Sequence, residues 1–235
     1  PNLLLGLPHA ATLLAILGAH ELGHYFAARH FGVPNSLPYF IPFPLGFGTM
    51  GAVIRLKAPP TNRRVLLAIA AAGPLCGLAV ALPLLVLGLK LSTVGPVGGV
   101  GVQEGNSLLY AVMKFLVLGR WLPGGGVDVW LHPVAFAAWA GLYVTGLNLI
   151  PAGQLDGGHI LYVLIGERAR YVTYGLVVAL VLMGWFLYEG WLLWAALMLV
   201  FGRTFATPLD SVTRLEGKHV ALAVFMLIIF ILVFT

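Results

Sequence analysis

Residues 10–28 read AATLLAILGAHELGHYFAA, and Arg29 follows. A helix crossing a bilayer needs about 20 mainly apolar residues, and this stretch qualifies, yet it carries His20, Glu21 and His24. An unpaired charge at membrane depth costs at least a few kcal/mol, so three ionisable groups in one apolar helix need a common purpose. On a helix, residues i and i+4 share a face. The imidazoles of His20 and His24 can therefore hold one metal ion, with Glu21 able to reach a water that the metal activates. Zinc suits the task, because coordination brings the pKa of water down to about 7. Glu21 is then the general base that takes a proton and passes it to a leaving amine. The plainer reading of the trio is a hydrogen-bonded polar cluster joining helices.

The rest of the chain fits a membrane setting. Of 235 residues, 60% are apolar and 9% charged, and the mean hydropathy is +0.97. A soluble domain carries about 25% charged residues. The net charge of +5 is explained by basic loops beside a membrane, and no nucleic-acid partner is expected. Cys76 is the only cysteine, which excludes an internal disulfide and a four-cysteine zinc site. No cleavable signal peptide is expected, since the apolar N-terminal stretch lacks a basic flank.

Outward from the first span, five more are expected, giving about six: Ala10–Ala28, Val65–Leu89, Pro133–Leu164, Tyr171–Tyr188, Trp191–Phe205 and His219–Phe234. The third is too long for one straight helix and contains Pro151, Gly153, Gly157 and Gly158. It reads as a broken helix interrupted near Pro151–Asp156, and irregular backbone at membrane depth survives only where protein or water covers it. The fold expected is an all-α polytopic membrane protein with a short β-like or re-entrant segment after the first span. It forms a single domain over 1–235, with a catalytic core at about 10–166 and C-terminal helices at 171–235. Alternation of loops across six spans puts ten Lys and Arg on one side, among them Arg29, Arg63, Arg64, Arg168 and Arg214. Lys90, Lys114 and Arg120 fall on the other. The basic side faces the cytoplasm or its organellar equivalent. Leu108–Leu118, within the Gly-rich segment 90–132, is a short amphipathic stretch suited to the interface. In the second span, Ala68, Ala70, Ala71, Ala72, Gly73, Cys76 and Gly77 make a small-residue face for close helix packing.

A catalytic zinc takes three protein ligands and keeps a fourth position open. Candidates for the third are Asn148, Asp156 and His159. His20 lies nine residues before Arg29, and Asp156 eleven before Glu167. At 1.5 Å per residue these are depths of roughly 14 and 16 Å from one boundary. Asp156 is also the only carboxylate inside the later spans, so it is the expected third ligand. His159, about one turn further on, reads as a hydrogen-bonded packing residue.

His20-Glu-Leu-Gly-His24, followed by Asn148-Leu-Ile-Pro-Ala-Gly-Gln-Leu-Asp-Gly157 in a later span, resembles the site-2 protease family of intramembrane metalloproteases and its NxxPxxxLDG-type pattern. Gly73-Pro74 looks like a further family feature. The resemblance covers about residues 15 to 165. It implies one zinc per chain on His20, His24 and Asp156, Glu21 as base, and Asn148 positioning substrate or stabilising the developing oxyanion. The family places a proline where this chain has Gly153. No PDZ-like or CBS module is visible. The substrate implied is a membrane-spanning protein, cut in regulated proteolysis that releases a cytosolic domain or regulator. The setting expected is a prokaryotic cell membrane, with the active site toward the cytoplasm and lipid as neighbour.

A helical substrate must unwind before its carbonyl can be attacked. Phe47–Ile54 is expected to form a strand or re-entrant hairpin whose edge receives it by β-augmentation, with Gly48, Thr49, Met50 and Gly51 as substrate-binding residues. Two other classes compete. A zinc transporter or channel would spread weak sites along a path, whereas the ligands here gather at one level. A proteolytically inactive scaffold would have lost Glu21 or a ligand, and none is missing.

Overall fold

The computed structural model describes residues 3–42, 49–97, 104–202 and 207–234. Among them lie eight α-helices and four short strands. The helices are α1 (Leu3–His30), α2 (Arg63–Leu91), α3 (Leu108–Leu118), α4 (Pro133–Asn148), α5 (Asp156–Ile165), α6 (Ala169–Phe186), α7 (Gly190–Phe201) and α8 (Gly217–Phe234). The strands β1 (Tyr39–Pro42) and β2 (Thr49–Val53) pair antiparallel, as do β3 (Thr93–Pro96) and β4 (Val127–Trp130).

The helical core is α1, α2, α4 and α5, with α1 lying against α2 along much of its length and α4 packed on both. Small residues permit this. Ile16 of α1 and Ala81 and Leu85 of α2 are fully buried together with Ala138 and Leu142 of α4. α8 closes the bundle from α3, α4 and α5. α6 and α7 pack chiefly on each other, and Val177 and Met198 cover Ile150 and Ala152. The outward faces of α6 and α8 are apolar, with Val178, Leu182, Phe225 and Ile228 exposed, as expected where the neighbour is lipid.

Among the described residues, three helical segments are long and apolar enough to cross a membrane: Arg63–Leu91, the nearly continuous Asp156–Phe186, and Gly217–Phe234. The expected count of about six is thus not reached: the broken span splits into α4 and α5 with residues 149–155 between them, α5 runs on toward α6, and α1 and α7 are not among the three. α7 has 12 residues, shorter than the expected Trp191–Phe205, of which residues 203–205 lie outside the described ones. α1, at 28 residues, is longer than Ala10–Ala28.

The break is satisfied from within. Ile150 N–H donates to Leu147 O, Ala152 N–H to Ile150 O and Leu155 N–H to Ala152 O, at 3.2, 2.7 and 3.2 Å, so few polar groups are left bare at depth. Gly153 has φ +51. A proline is locked near −65°, so the departure from the family pattern noted above is a different backbone and not only a softer one.

The β expectation is met in one place and too narrow in another. β2 forms within the expected 47–54 segment, with Tyr39 opposite Val53 and Phe40 opposite Ala52. Gly48 lies outside the described residues. The β3–β4 pair was not expected, so the all-α reading with one β-like segment is corrected to a helical fold with two small sheets. Thr93-Val-Gly-Pro96 is too short and too rich in breakers to show period-2 alternation. It pairs because the end of α2 and the start of α4 bring it beside Val127–Trp130, tied by His132 N–H donating to Ser92 Oγ at 2.9 Å. α3 occupies the expected Leu108–Leu118, and its Lys114 is buried. Its ammonium lies over the Tyr110 ring, 3.9 Å from Glu104.

Candidate active site

α1 carries His20, Glu21 and His24, all buried. α5 starts at Asp156 because the break ends there. The carboxylate thus stands at a new helix N-terminus, where free amides and the helix dipole favour negative charge. α1 and α5 reach each other across α2. Asp156 Oδ2 lies 3.2 Å from His20 Nε2 and 3.3 Å from His24 Nε2. Asn148, the last residue of α4, places Nδ2 3.3 Å from His20 Nε2. The sequence pattern is therefore gathered at one point from three helices.

His24 donates its Nδ1 proton to the carbonyl of Ile69 at 2.8 Å. In the neutral imidazole that bond fixes the tautomer, so that Nε2 carries a lone pair. The lone pair faces a carboxylate oxygen at 3.3 Å. Two acceptors at that distance repel unless a cation or a proton lies between them. Two ligands of a tetrahedral zinc at 2.0–2.1 Å stand about 3.3–3.4 Å apart, close to both separations found here. The donor set and its spacing fit such an ion, and the Ile69 carbonyl is the kind of partner that orients a ligating imidazole.

Glu21 belongs to the same cluster at a looser spacing. One ligand atom each of His20, Glu21 and His24 lie within 4.8 Å of one another. Two carboxylates thus flank one pair of nitrogens, and distance separates them. Asp156 is at ligand–ligand spacing from both nitrogens and Glu21 stands further back. Ile54, just after β2, lines the same cavity as Glu21.

These groups line a cavity of about 230 Å³ that also includes Ala52, Val53, Ile54, Gln154 and His159. His159, read above as a packing residue, faces the cavity, and its buried Nδ1 has no hydrogen-bond partner. Ala52–Ile54 bring the strand beside the cluster. Thr49 Oγ1 donates to Ile41 O at 2.9 Å, and Gly51 has φ +112, a conformation that a side chain rarely adopts. The Met50 backbone is part of β2.

The small-residue face of α2 has a sharper purpose than packing. A Cβ on Gly73 would meet His24 Nε2 at 2.1 Å, and one on Gly77 would meet His20 Nδ1 at 3.2 Å. These two glycines make room for the imidazoles. The Gly73-Pro74 pair was the one signal of this in the sequence. The Ile69 carbonyl left none.

A helical membrane-type fold with two histidines and two carboxylates converging on one buried cavity defines a metallohydrolase-type centre. The sequence profile of peptidase family M50 matches residues 8–187. The chain belongs to that family, the site-2 protease family. The probable zinc metalloprotease EGY2, chloroplastic, of Arabidopsis thaliana is 34% identical over 233 residues, covering 97% of this chain and 41% of the relative. EGY2 of Oryza sativa subsp. indica is 32% identical over 234 residues, covering 97% and 42%. The probable zinc metalloprotease EGY1, chloroplastic, of Arabidopsis thaliana is 34% identical over 233 residues, covering 96% and 42%. The chain thus spans about two fifths of the length of these relatives.

Proposed function

We propose that this chain is the membrane-embedded catalytic domain of a zinc metalloendopeptidase, hydrolysing a peptide bond in or near a transmembrane segment of another protein. The observation that carries this is Asp156 Oδ2 at 3.2 and 3.3 Å from the Nε2 atoms of His20 and His24, with Glu21 beside them. His20, His24 and Asp156 hold one zinc. When bound, zinc makes water acidic enough to act as nucleophile near neutral pH and polarises the scissile carbonyl. Glu21 takes the proton of the attacking water on its carboxylate and delivers it to the amide nitrogen as the C–N bond breaks. Asn148, at the cavity wall, donates to the carbonyl oxygen as charge develops there. Burial of the cluster keeps its electrostatics strong by excluding bulk water.

Six crossings account for the chain best: α1, α2, the α4–α5 pair, α6, α7 and α8. Alternation then gathers Arg29, Arg63, Arg168 and Lys218 on one side, in accord with the positive-inside rule. The plant relatives carry chloroplastic names, so the expectation of a prokaryotic cell membrane finds no support there. Regulated proteolysis of a membrane-spanning substrate is the role this site suits.

Chelation tests the whole reading. Protein reconstituted with a transmembrane test substrate should lose cleavage on treatment with a zinc chelator and regain it on stoichiometric zinc. Unchanged cleavage after zinc has been stripped would exclude a metalloprotease. Zinc flux into liposomes without cleavage would favour a transporter.

β2 is the proposed substrate-docking edge, through Thr49, Met50 and Gly51 together with Gly48. Proline removes the amide that an incoming strand would bond. Proline placed in turn at 48–53 should therefore cut cleavage of a transmembrane substrate by about tenfold, the equivalent of one or two hydrogen bonds, with zinc content unchanged. Full activity at every position would exclude this edge.

A further inference from the structure

The turn leading into α2 and the segment leading into α8 are stitched together. Leu209 N–H donates to Pro60 O and Asp210 N–H to Thr61 O, both at 2.9 Å. Between the N-termini of α2 and α8 this leaves a cavity of about 250 Å³, walled by Arg63, Arg64, Thr213, Arg214, Glu216 and His219. The electrostatics of that wall are incomplete. A helix N-terminus carries about half a positive charge and favours anions, yet neither α2 nor α8 has an acidic residue in its first turn. α2 begins instead with two arginines and α8 with Lys218 and His219.

The nearby carboxylates are engaged elsewhere. Glu216 pairs with Lys218 at 2.8 Å and with Arg64 at 3.3 Å. Asp210 accepts from the amides of Val212 and Thr213 and from the Thr213 hydroxyl. Among the described residues, no carboxylate is within ion-pair distance of Arg63 or Arg214. Arg63 Nε and His219 Nδ1 are buried and have no hydrogen-bond partner. A buried polar atom without a partner costs about 1–3 kcal/mol. Topology alone needs basic residues in this loop, but it does not need a guanidinium nitrogen and an imidazole nitrogen shut away unpaired around a cavity.

We propose that this cavity binds a phosphate group, with the guanidinium groups of Arg63 and Arg214 and the imidazole of His219 as its donors. A tetrahedral oxyanion supplies acceptors for the guanidinium and imidazole groups that wall the cavity, and its charge answers two helix N-termini at once. The cavity lies where α2 and α8 enter the apolar layer on its basic side. A phosphate at that level is the headgroup of an anionic phospholipid, and soluble phosphate offers the same chemistry.

The test is thermal unfolding of the full chain in uncharged, phosphate-free maltoside micelles. Additions are phosphatidylglycerol, inorganic phosphate, or sodium chloride at matched ionic strength. Arg63→Gln/Arg214→Gln is compared with the wild type and with Arg120→Gln, on the opposite side. Phosphatidylglycerol should raise the wild-type and Arg120→Gln midpoints where chloride does not. The double variant should need at least about tenfold more lipid, as expected for losing a charge-assisted hydrogen bond. A shift produced equally by inorganic phosphate, and lost in the double variant, keeps the site and makes its ligand the free ion. No shift with either phosphate species, or a double variant that responds like the wild type, overturns the proposal. Should the double variant not fold, Arg214→Gln alone serves, since Arg214 is exposed and its loss leaves the wall of α2 intact.

Discussion

Glu21→Gln is expected to bind zinc as the wild type does and to cut a transmembrane substrate about 10²–10⁴-fold more slowly, the range that a general base contributes. The two side chains have the same shape, so the exchange leaves the cavity wall that Glu21 shares with Ile54 as it was. The nitrogens of His20 and His24 and the Asp156 oxygen are untouched, so the ion keeps its ligands. What the amide lacks is a basic oxygen that can take a proton from water and give it to the leaving nitrogen. The experiment reads cleavage rate and zinc per chain together, because each separates a different error. A variant that cuts at the wild-type rate would mean Glu21 is not the base. A variant that loses zinc would mean that Glu21, at its looser spacing within the cluster, is the ligand. Asp156→Ala would then be expected to keep the ion, reversing the roles given above.

The site could be read from sequence because its residues had no business in their surroundings. Three ionisable groups in one apolar helix, and an aspartate inside a broken one, are costly unless they serve each other. The depth estimate put His20 and Asp156 at matching levels, and their atoms lie 3.2 Å apart. The break also announced itself at Pro151 and Gly153, which cannot continue a helix comfortably, although Gly157 and Gly158 beyond it are helical in α5. Three features did not. Within the amphipathic stretch Leu108–Leu118, nothing signalled that Glu104 and the Tyr110 ring hold Lys114 inside. That burial depends on long-range folding of a Gly-rich segment. The β3–β4 pair depends on where α2 ends and α4 begins, which no window of four residues encodes. The Ile69 carbonyl that orients His24 is backbone and has no residue signature at all.

Gly73→Ala is expected to cost the protein its zinc, and with it at least about 10²-fold in cleavage, the loss that a misplacement of about 1 Å produces, while leaving its helices intact. In an isolated helix the change is favourable by about 1 kcal/mol, so α2 itself has no reason to unwind. The damage falls on the neighbour. The added methyl would stand 2.1 Å from His24 Nε2 and 2.4 Å from the two ring carbons beside it. The ring cannot swing aside freely, because its Nδ1 is tied to Ile69 O on the same helix at 2.8 Å and the residue is buried. Either α1 and α2 separate or the imidazole leaves its place, and both move the Nε2 atom away from Asp156. Gly77→Ala provides the graded comparison. Its methyl would meet His20 Nδ1 at 3.2 Å and His20 Cβ at 3.3 Å, contacts that a shift of a few tenths of an ångström relieves. It should keep zinc and lose activity only a few-fold. Circular dichroism, zinc per chain and cleavage rate on the two variants decide the matter. If Gly73→Ala keeps its zinc and its rate, the ion does not sit on His24 Nε2, and a site built on that atom is wrong.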